Sequence, residues 1–235
     1  MKKTLGIIGG VGPLATMHIG EKIVRLTKAT KDQEHIHMII DNDTTIPDRT
    51  AYILNHNEEN PIPFLQRDVT RLTEMGAEVI CIPCNTAHAF YEEMQQATSA
   101  QFIHMIRETA VHAKVQQAKR VGILATDGTL SARVYQQALE ALQLDVIVPD
   151  ATVQKQVMAV IYDYIKAGKQ VTLDVWQPIE QVMLEQGCDS IILGCTELSI
   201  VRDQLQLHSH YIDSLTVLAQ VAIRACGYEL NEDFK

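Results

Sequence analysis

The sequence lacks several features that would indicate its function class at once. Its 235 residues contain no apolar run near the roughly 18 residues that a membrane helix needs. No low-complexity segment and no linker rich in Ser, Gly or Pro marks a domain boundary. Lysine and arginine (20) are outnumbered by aspartate and glutamate (29), and a net charge of −9 argues against a nucleic-acid partner, which needs a clustered basic surface. We therefore expect neither a membrane nor a nucleic acid as partner.

Cysteine is also scarce. The five cysteines are too few and too unevenly spaced for a disulfide framework, so we expect thiols in a reducing compartment. Two lysines before an apolar run give the first residues the look of a signal peptide, but three glycines and Pro13 interrupt that run. A buried strand followed by a Gly-rich turn explains the segment better, and we expect a cytoplasmic protein.

Short apolar runs of strand length alternate with longer amphipathic stretches, which is the pattern of a parallel α/β fold. The strand candidates are residues 5–8, 36–41, 79–82, 121–124, 145–148 and 190–193. The helix candidates include residues 14–28, 63–75, 130–141 and 171–185.

An internal repeat gives stronger information about the architecture. Three pairs of segments match in the same order: 6–10 with 122–126, 74–86 with 185–197, and 102–104 with 211–213. The offset drifts from 116 to 111 to 109 positions, as differences in loop length would produce, and the middle match aligns Cys84 with Cys195. The repeat predicts two similar α/β halves of about 100 residues. A site between them would receive one cysteine from each half.

The two aligned cysteines occupy positions where chemistry is common. Cys84 and Cys195 each follow a predicted strand and precede a helical pattern, and ligands of parallel sheets bind beyond the carboxyl ends of the strands. A helix N-terminus lowers the pKa of a nearby thiol and, with the hydroxyls of Thr86 and Thr196, can hold a carboxylate. Two thiols on opposite faces of a carbon suit inversion of a stereocentre, since one removes a proton and the other returns one.

Each of these features has a less specific interpretation. A cysteine at a strand end is most often a small buried hydrophobe with an inert thiol. Cys81 and Cys84 form a C-x-x-C, which would suit a redox dithiol or half a zinc site, but Cys81 falls within the predicted strand and no second C-x-x-C exists. We expect Cys188 and Cys226 to be structural.

Other candidates are weaker. Residues 9–13 form a glycine-rich turn that would let backbone approach a small ligand, although the spacing is not that of a nucleotide-binding loop. Arg49 and Lys166 could each grip a carboxylate, yet a solvated surface position suits them at least as well from spacing alone. His88, one helical turn after Cys84, would either tune the thiol or pack in the core.

Six segments resemble a known family. They are GIIGGVGPLAT (6–16), IPDRTAYIL (46–54), PCNTAHAF (83–90), MIRETA (105–110), IYDYIKAG (161–168) and GCTELS (194–199). Together they resemble the aspartate racemase branch of the aspartate/glutamate/hydantoin racemase superfamily over nearly the whole chain. Glutamate racemases share the two-cysteine plan but begin with an Asp-Ser-Gly motif, where this chain has Gly-Gly-Val-Gly-Pro.

The resemblance implies two pseudo-symmetric α/β domains, each with a central, mainly parallel sheet flanked by helices, and an active site in the interdomain cleft. We place the first domain at residues 1–100 plus 209–235 and the second at 101–208. The resemblance further implies a homodimer and a small dicarboxylic amino acid as substrate. It implies no pyridoxal phosphate or other cofactor, and no metal.

The resemblance also assigns roles to individual residues. It makes Cys84 and Cys195 the catalytic acid/base pair. It gives substrate-binding roles to Asn85, Thr86, Thr196 and backbone around Val11 at the α-carboxylate and amino group, to Arg49 and Lys166 at the side-chain carboxylate, and to Glu197 at the amine.

The expected reaction is racemisation of aspartate, and other activities stay open. Within the same superfamily, glutamate or broad-specificity racemisation, maleate isomerisation and decarboxylation of a malonate-type acid can use related cysteines. A ligand-binding relative without turnover would keep the same fold.

Overall fold

The computed structural model describes residues 1–207 and 210–231. It contains two four-stranded parallel sheets with helices around them, which confirms the predicted α/β class with two similar halves. The chain divides into two compact units: Met1–Met105 together with the segment from Leu215 onward, and Ile106–Ser214. The predicted boundary at 208 and 209 lies outside the described residues, as do residues 232–235 of the predicted first domain.

Both sheets have the same strand order. The first unit has the order β2-β1-β3-β4, and the second has β6-β5-β7-β8, with every neighbouring pair parallel. The strands are β1 (Leu5–Gly9), β2 (Met38–Asn42), β3 (Val79–Cys81), β4 (Gln101–Phe102), β5 (Arg120–Ala125), β6 (Asp145–Ile147), β7 (Ser190–Gly194) and β8 (Tyr211–Asp213).

The strand register reproduces the offsets of the sequence repeat. Across the first sheet Gly6 pairs with Ile80 and Ile80 with Phe102, while across the second Gly122 pairs with Ile191 and Ile191 with Tyr211. Taken in order, these partners are related by 116, 111 and 109 positions. The repeat is therefore a repeat of strand pairing, and it includes β4 and β8, which were not among the predicted strands.

Helices surround both sheets. Their bounds are α1 (Pro13–Leu26), α2 (Arg49–Leu54), α3 (Ile62–Glu74), α4 (Tyr91–Gln96), α5 (Met105–Val115), α6 (Asp127–Ser131), α7 (Val134–Glu140), α8 (Ala151–Ala159), α9 (Leu173–Glu185), α10 (Thr196–Leu205) and α11 (Ser214–Ala225). The predicted helix 130–141 is wrong as a single element. Arg133 has φ 55, in the left-handed region, and this conformation separates α6 from α7.

Each unit has its own apolar core. In the first unit, one face of the sheet packs against α1 and α11, and the other packs against α3 and the helical turn after β3. In the second unit, the cluster that includes Leu124, Trp176 and Leu193 joins α8, α9 and α10 to the sheet. Residues of β3 and β7 are buried in these cores, and a cysteine follows each of the two strands. Within the described part of the chain, no helix is long and apolar enough to span a bilayer.

Candidate active site

The first candidate cysteine lies in a tight turn after β3. The Cys84 amide donates to the carbonyl of Ile82 at 2.9 Å, and a 3-10 helix begins two residues later at Thr86. Cys84 is 7% exposed, and Asn85 and Thr86 beside it are buried. The turn thus presents a thiol, an amide and a hydroxyl on consecutive residues, as the sequence predicts.

His88 contacts the backbone of this turn. Its Nδ1 lies 2.9 Å from the carbonyl oxygen of Cys84, and its Nε2 accepts a hydrogen bond of 3.1 Å from the Met105 amide. An amide can only donate, so Nε2 is unprotonated and Nδ1 carries the proton that it gives to Cys84. Burial lowers the pKa of His88 to about 4, which keeps the ring neutral. Both ring nitrogens are thus engaged with backbone.

The second candidate cysteine lies in the equivalent turn after β7. Cys195 occupies the N-cap position of α10 and is 7% exposed, like Cys84. Its thiol donates a hydrogen bond of 2.9 Å to Glu197 Oε2, and the Thr196 hydroxyl lies 3.3 Å from the same oxygen. By the repeat offset of 111, Glu197 is equivalent to Thr86, so only the second turn sets a carboxylate at this position.

Lys166 completes the charged part of the second turn. Its Nζ lies 2.7 Å from Glu197 Oε1, with the lysine side chain 30% exposed. The lysine follows a π-helical turn, Val160–Ile165, and its amide donates to the carbonyl of Ile161 at 2.9 Å. Such π-turns are frequent at functional sites because they re-aim one side chain within a helix. Cys195, Glu197 and Lys166 therefore form one connected chain of hydrogen bonds.

The charges in this chain act on each other. Burial, together with the Glu197 charge, raises the pKa of Cys195 well above its ordinary value, against a lowering by Lys166. Burial also acts to raise the pKa of Glu197, but Lys166 and the hydrogen bond from Cys195 outweigh it, and the net shift is downward. Cys195 is thus a thiol beside a carboxylate. The lowered thiol pKa that we predicted from the helix N-terminus is wrong for Cys195, since burial and a neighbouring anion dominate.

The remaining candidates of the first unit lie in loops after β1 and β2. Val11 is buried in the turn between β1 and α1, where the Gly10 amide donates to the Thr16 hydroxyl at 3.0 Å. Arg49 begins α2 and is half-buried, and its Nη1 donates to the carbonyls of Ile46 (3.1 Å) and Pro47 (2.8 Å). These bonds hold the guanidinium in a fixed position.

The predicted site residues fall into two groups. The first unit contains Val11, Arg49, Cys84, Asn85 and Thr86, and the second contains Lys166, Cys195, Thr196 and Glu197. The structure joins the four residues of the second group directly. The ion pair of Lys166 with Glu197 was not predicted from the sequence, because it joins the residue after the π-helical turn to a side chain of α10.

The other cysteines are buried. Cys81 ends β3 and packs in the core against α1 and α11, whereas Cys84 packs on the α3 side. Burial raises the pKa of Cys81 far above its usual range and that of Cys226 to about 11. All five cysteines are free thiols. Over residues 1–207 and 210–231, no group of three or more His, Cys, Asp or Glu side chains is arranged to hold a metal ion.

Comparison with known proteins identifies the family. Residues 8–222 match the family described as Asp/Glu/Hydantoin racemase. The chain belongs to this family. This match confirms the predicted resemblance at the level of the family.

Individual relatives differ in what they act on. The racemase is 31% identical to the broad specificity amino-acid racemase RacX of Bacillus subtilis over 225 residues, 93% of this chain and 96% of that protein. The solved structure of Picrophilus torridus aspartate racemase matches with a TM-score of 0.85 and 31% identity, covering 99% of this chain and 97% of that one. A glutamate racemase of Pseudomonas aeruginosa is 32% identical over 139 residues, 57% of this chain and 51% of that protein.

Proposed function

We propose that this racemase is a cofactor-independent aspartate racemase that uses Cys84 and Cys195 as its two acid/base groups. The observation that carries the proposal is the equivalence of the two cysteines. Each follows the third strand of a four-stranded sheet of the same order, at the same repeat offset and with the same 7% exposure. We propose that the two cysteines act on one substrate, one thiol at each face of its α-carbon.

The reaction needs one thiolate and one thiol at the start of each turnover. In one direction the Cys84 thiolate takes the α-proton, and the Cys195 thiol donates its proton to the opposite face of the carbanion. Cys84 then holds a proton and Cys195 is the thiolate, and the reverse reaction restores the first state. The hydrogen bond from Cys195 to Glu197 supports this assignment, because it keeps the proton on Cys195 in the resting protein.

The charged side chains support a substrate with two carboxylates. Each unit supplies one thiol and one cation, Arg49 with Cys84 and Lys166 with Cys195. In this proposal the two cations bind the side-chain carboxylate, which competes with Glu197 for Lys166. Glu197 then attracts the substrate ammonium.

Four further residues complete the proposed site. Asn85, Thr86 and Thr196, with backbone around Val11, bind the α-carboxylate through hydroxyl, amide and N–H donors.

We also propose that the protein is a homodimer and that it is cytoplasmic. Analytical ultracentrifugation tests the homodimer.

Broad-specificity racemisation is the second candidate function. The similarity to RacX over nearly the full length of both chains favours it. The two candidates differ in their need for a second carboxylate, so the ratio of kcat/KM for aspartate and alanine separates them. Arg49→Ala should reduce aspartate turnover at least about tenfold in a dicarboxylate-specific enzyme, because a charge-assisted bond is lost.

The deciding experiment follows the α-proton. The purified protein is incubated without cofactor with L-aspartate in deuterated water, and chirality and α-deuterium are both measured. We expect D-aspartate that carries deuterium. Cys84→Ala and Cys195→Ala should each lower the rate by at least about 100-fold, the usual contribution of a positioned acid or base. Cys188→Ala, which changes another buried thiol, is the matched control.

Two outcomes contradict the proposal. Full activity in Cys195→Ala would exclude the two-thiol mechanism. Absence of both inversion and exchange in the reduced, folded protein would exclude aspartate, and glutamate, maleate and substituted malonates would be tested next.

A further inference from the structure

The chain leaves its two units at equivalent positions. It passes from the first unit to the second after Met105, and from the second back to the first after Ser214. These two residues are 109 positions apart, which is the offset that relates β4 to β8. The two crossover residues are therefore counterparts in the repeat, and their contacts can be compared directly.

Met105 and Ser214, where the chain passes between the units, bind the cysteine-bearing segments in different ways. Ser214 donates through its hydroxyl to the carbonyl of Leu193 at 2.7 Å, two residues before Cys195. Met105 instead donates its amide to His88 at 3.1 Å, and the other nitrogen of that ring lies 2.9 Å from the carbonyl of Cys84. The His88 side chain thus links Met105, where the chain leaves the first unit, to Cys84 itself.

The counterpart of His88 makes no such link. At the offset of 111 this counterpart is Ser199, whose hydroxyl donates to Asp213 at 2.8 Å. Asp213 in turn is the counterpart of His104, whose ring lies 5.2 Å from that of His88. The two halves have kept a polar pair at these positions, but only the histidine of the first half reaches the backbone of its cysteine.

We propose that His88 is a positioning residue for Cys84: the hydrogen bond from its Nδ1 to the Cys84 carbonyl sets the direction of the thiol. The Met105 amide fixes the tautomer of the ring that can donate this bond. The inference rests on the proposed role of Cys84 as an acid/base group. The ring suits this task because both of its nitrogens are used and its plane is held by Tyr91 and His104, with centroids 6.3 and 5.2 Å away. A displacement of about 1 Å at a reacting group can cost about 100-fold in rate.

Two substitutions separate the bonds of His88. In His88→Asn the side-chain amide lies near the position of Nδ1, so it can still donate to Cys84 but cannot reach Met105. In His88→Gln the amide oxygen lies near the position of Nε2, so it can accept from Met105 but the bond to Cys84 is lost. Each variant loses one buried hydrogen bond, and their thermal stabilities should fall to a similar extent.

Alkylation of the thiols gives a readout that does not depend on turnover. Iodoacetamide labelling of Cys84 and Cys195 is followed peptide by peptide by mass spectrometry, with Cys195 as internal control because both thiols are 7% exposed. We expect His88→Gln to change the ratio of the two labelling rates about tenfold, while His88→Asn keeps it within about twofold. Ser199→Ala, at the equivalent position, should leave the Cys84 rate unchanged.

Kinetics supply the second readout. His88→Gln should lower kcat for aspartate about 10- to 100-fold with KM within about twofold, and His88→Asn should retain most of kcat. The positioning role would be overturned if both variants lost kcat equally, in proportion to their loss of thermal stability, and if the labelling rates of Cys84 and Cys195 changed alike. If the wild type does not racemise aspartate, the proposed function fails, while the labelling ratio still decides whether His88 positions Cys84.

Discussion

The Cys195 thiol lies next to two groups of opposite charge. Glu197 accepts its hydrogen bond, and Lys166 binds the other oxygen of the same carboxylate. Burial raises the pKa of Cys195 most strongly; the Glu197 charge raises it further, and Lys166 lowers it. The two side chains therefore set the proton affinity of the thiol in opposite directions.

Substitution of these two charges should shift the Cys195 titration in opposite directions. Glu197→Gln removes a cause that raises the pKa and leaves Lys166 beside the thiol, so the pKa should fall. Lys166→Met removes a cause that lowers the pKa, so the pKa should rise. The pH dependence of iodoacetamide labelling at the Cys195 peptide measures both shifts. Shifts of the same sign in the two variants would contradict the opposing roles.

His88 should make the stability of the protein depend on pH. Its pKa is lowered by burial from 6.5 to about 4, so between these values the unfolded chain binds a proton that the folded protein does not. The contribution of neutral His88 to the free energy of unfolding is fully present above pH 6.5 and is lost as pH falls toward 4. At 1.36 kcal/mol per pH unit, it should reduce the free energy of unfolding by about 2 kcal/mol at pH 5 relative to pH 8.

The measurement is urea unfolding at pH 8 and pH 5 for the wild type and His88→Asn. Asparagine does not titrate, so the variant should lose about 2 kcal/mol less over this interval than the wild type. The difference between the two proteins cancels the effect of the other histidines. Parallel pH profiles would show that His88 does not remain neutral in the folded state.

At the scale of elements, the turn between β1 and α1 depends on Gly10. Its φ is +81, and a Cβ on this residue would lie 2.0 Å from the carbonyl oxygen of Asp43. Gly76, after α3, has a similar φ of +94 but no atom within 4 Å of the added Cβ. The two glycines share the backbone conformation and differ only in the available space.

Alanine at these two glycines should therefore have different costs. Gly76→Ala should destabilise the protein by about 1 kcal/mol, the strain of a left-handed residue. Gly10→Ala should cost about 3 kcal/mol more, because the backbone at Asp43, in the loop after β2, must move. Urea unfolding of both variants at pH 8 measures the difference. Equal losses would show that the turn can yield to the new methyl group.

The strands and helices also show which parts of the fold could be predicted from the sequence. Apolar runs predicted β1, β2, β3, β5, β6 and β7. They did not predict β4 and β8, because the apolar runs at these strands, residues 102–103 and 211–212, are only two residues long. The repeat nevertheless contained both, because it records which residues pair. The break at Arg133 was not predicted, since a left-handed conformation at a non-glycine residue has no reliable local signal.

The candidate site could also be predicted only in part from the sequence. The two cysteine turns could be predicted, because a strand, a turn and a helix are consecutive in sequence. The bonds from Lys166 to Glu197 and from His88 to Met105 join residues 31 and 17 positions apart. Such partners depend on how helices pack, which neither composition nor periodicity determines.

At the scale of the whole molecule, the two units differ in continuity. The second unit is a single stretch of chain, and its core cluster lies entirely between Ile106 and Ser214. The first unit needs both ends of the chain. Leu5 and Ile7 of β1 pack in the same cluster as Leu215 and Leu218 of α11. We therefore expect the first unit to fold only when α11 is present.

This difference predicts the behaviour of fragments. A fragment of residues 106–214 should fold alone, with helical circular dichroism and a cooperative urea transition, because its sheet and core are complete. A fragment of residues 1–105 should not, since removal of α11 leaves α1 alone on that face of the sheet and exposes the apolar side chains that α11 covers. Joining 1–105 to 215–235 through a short Gly/Ser linker should restore a cooperative transition. Cooperative unfolding of 1–105 alone would show that α11 is dispensable, and would locate the stability of the first unit on the α3 side of its sheet.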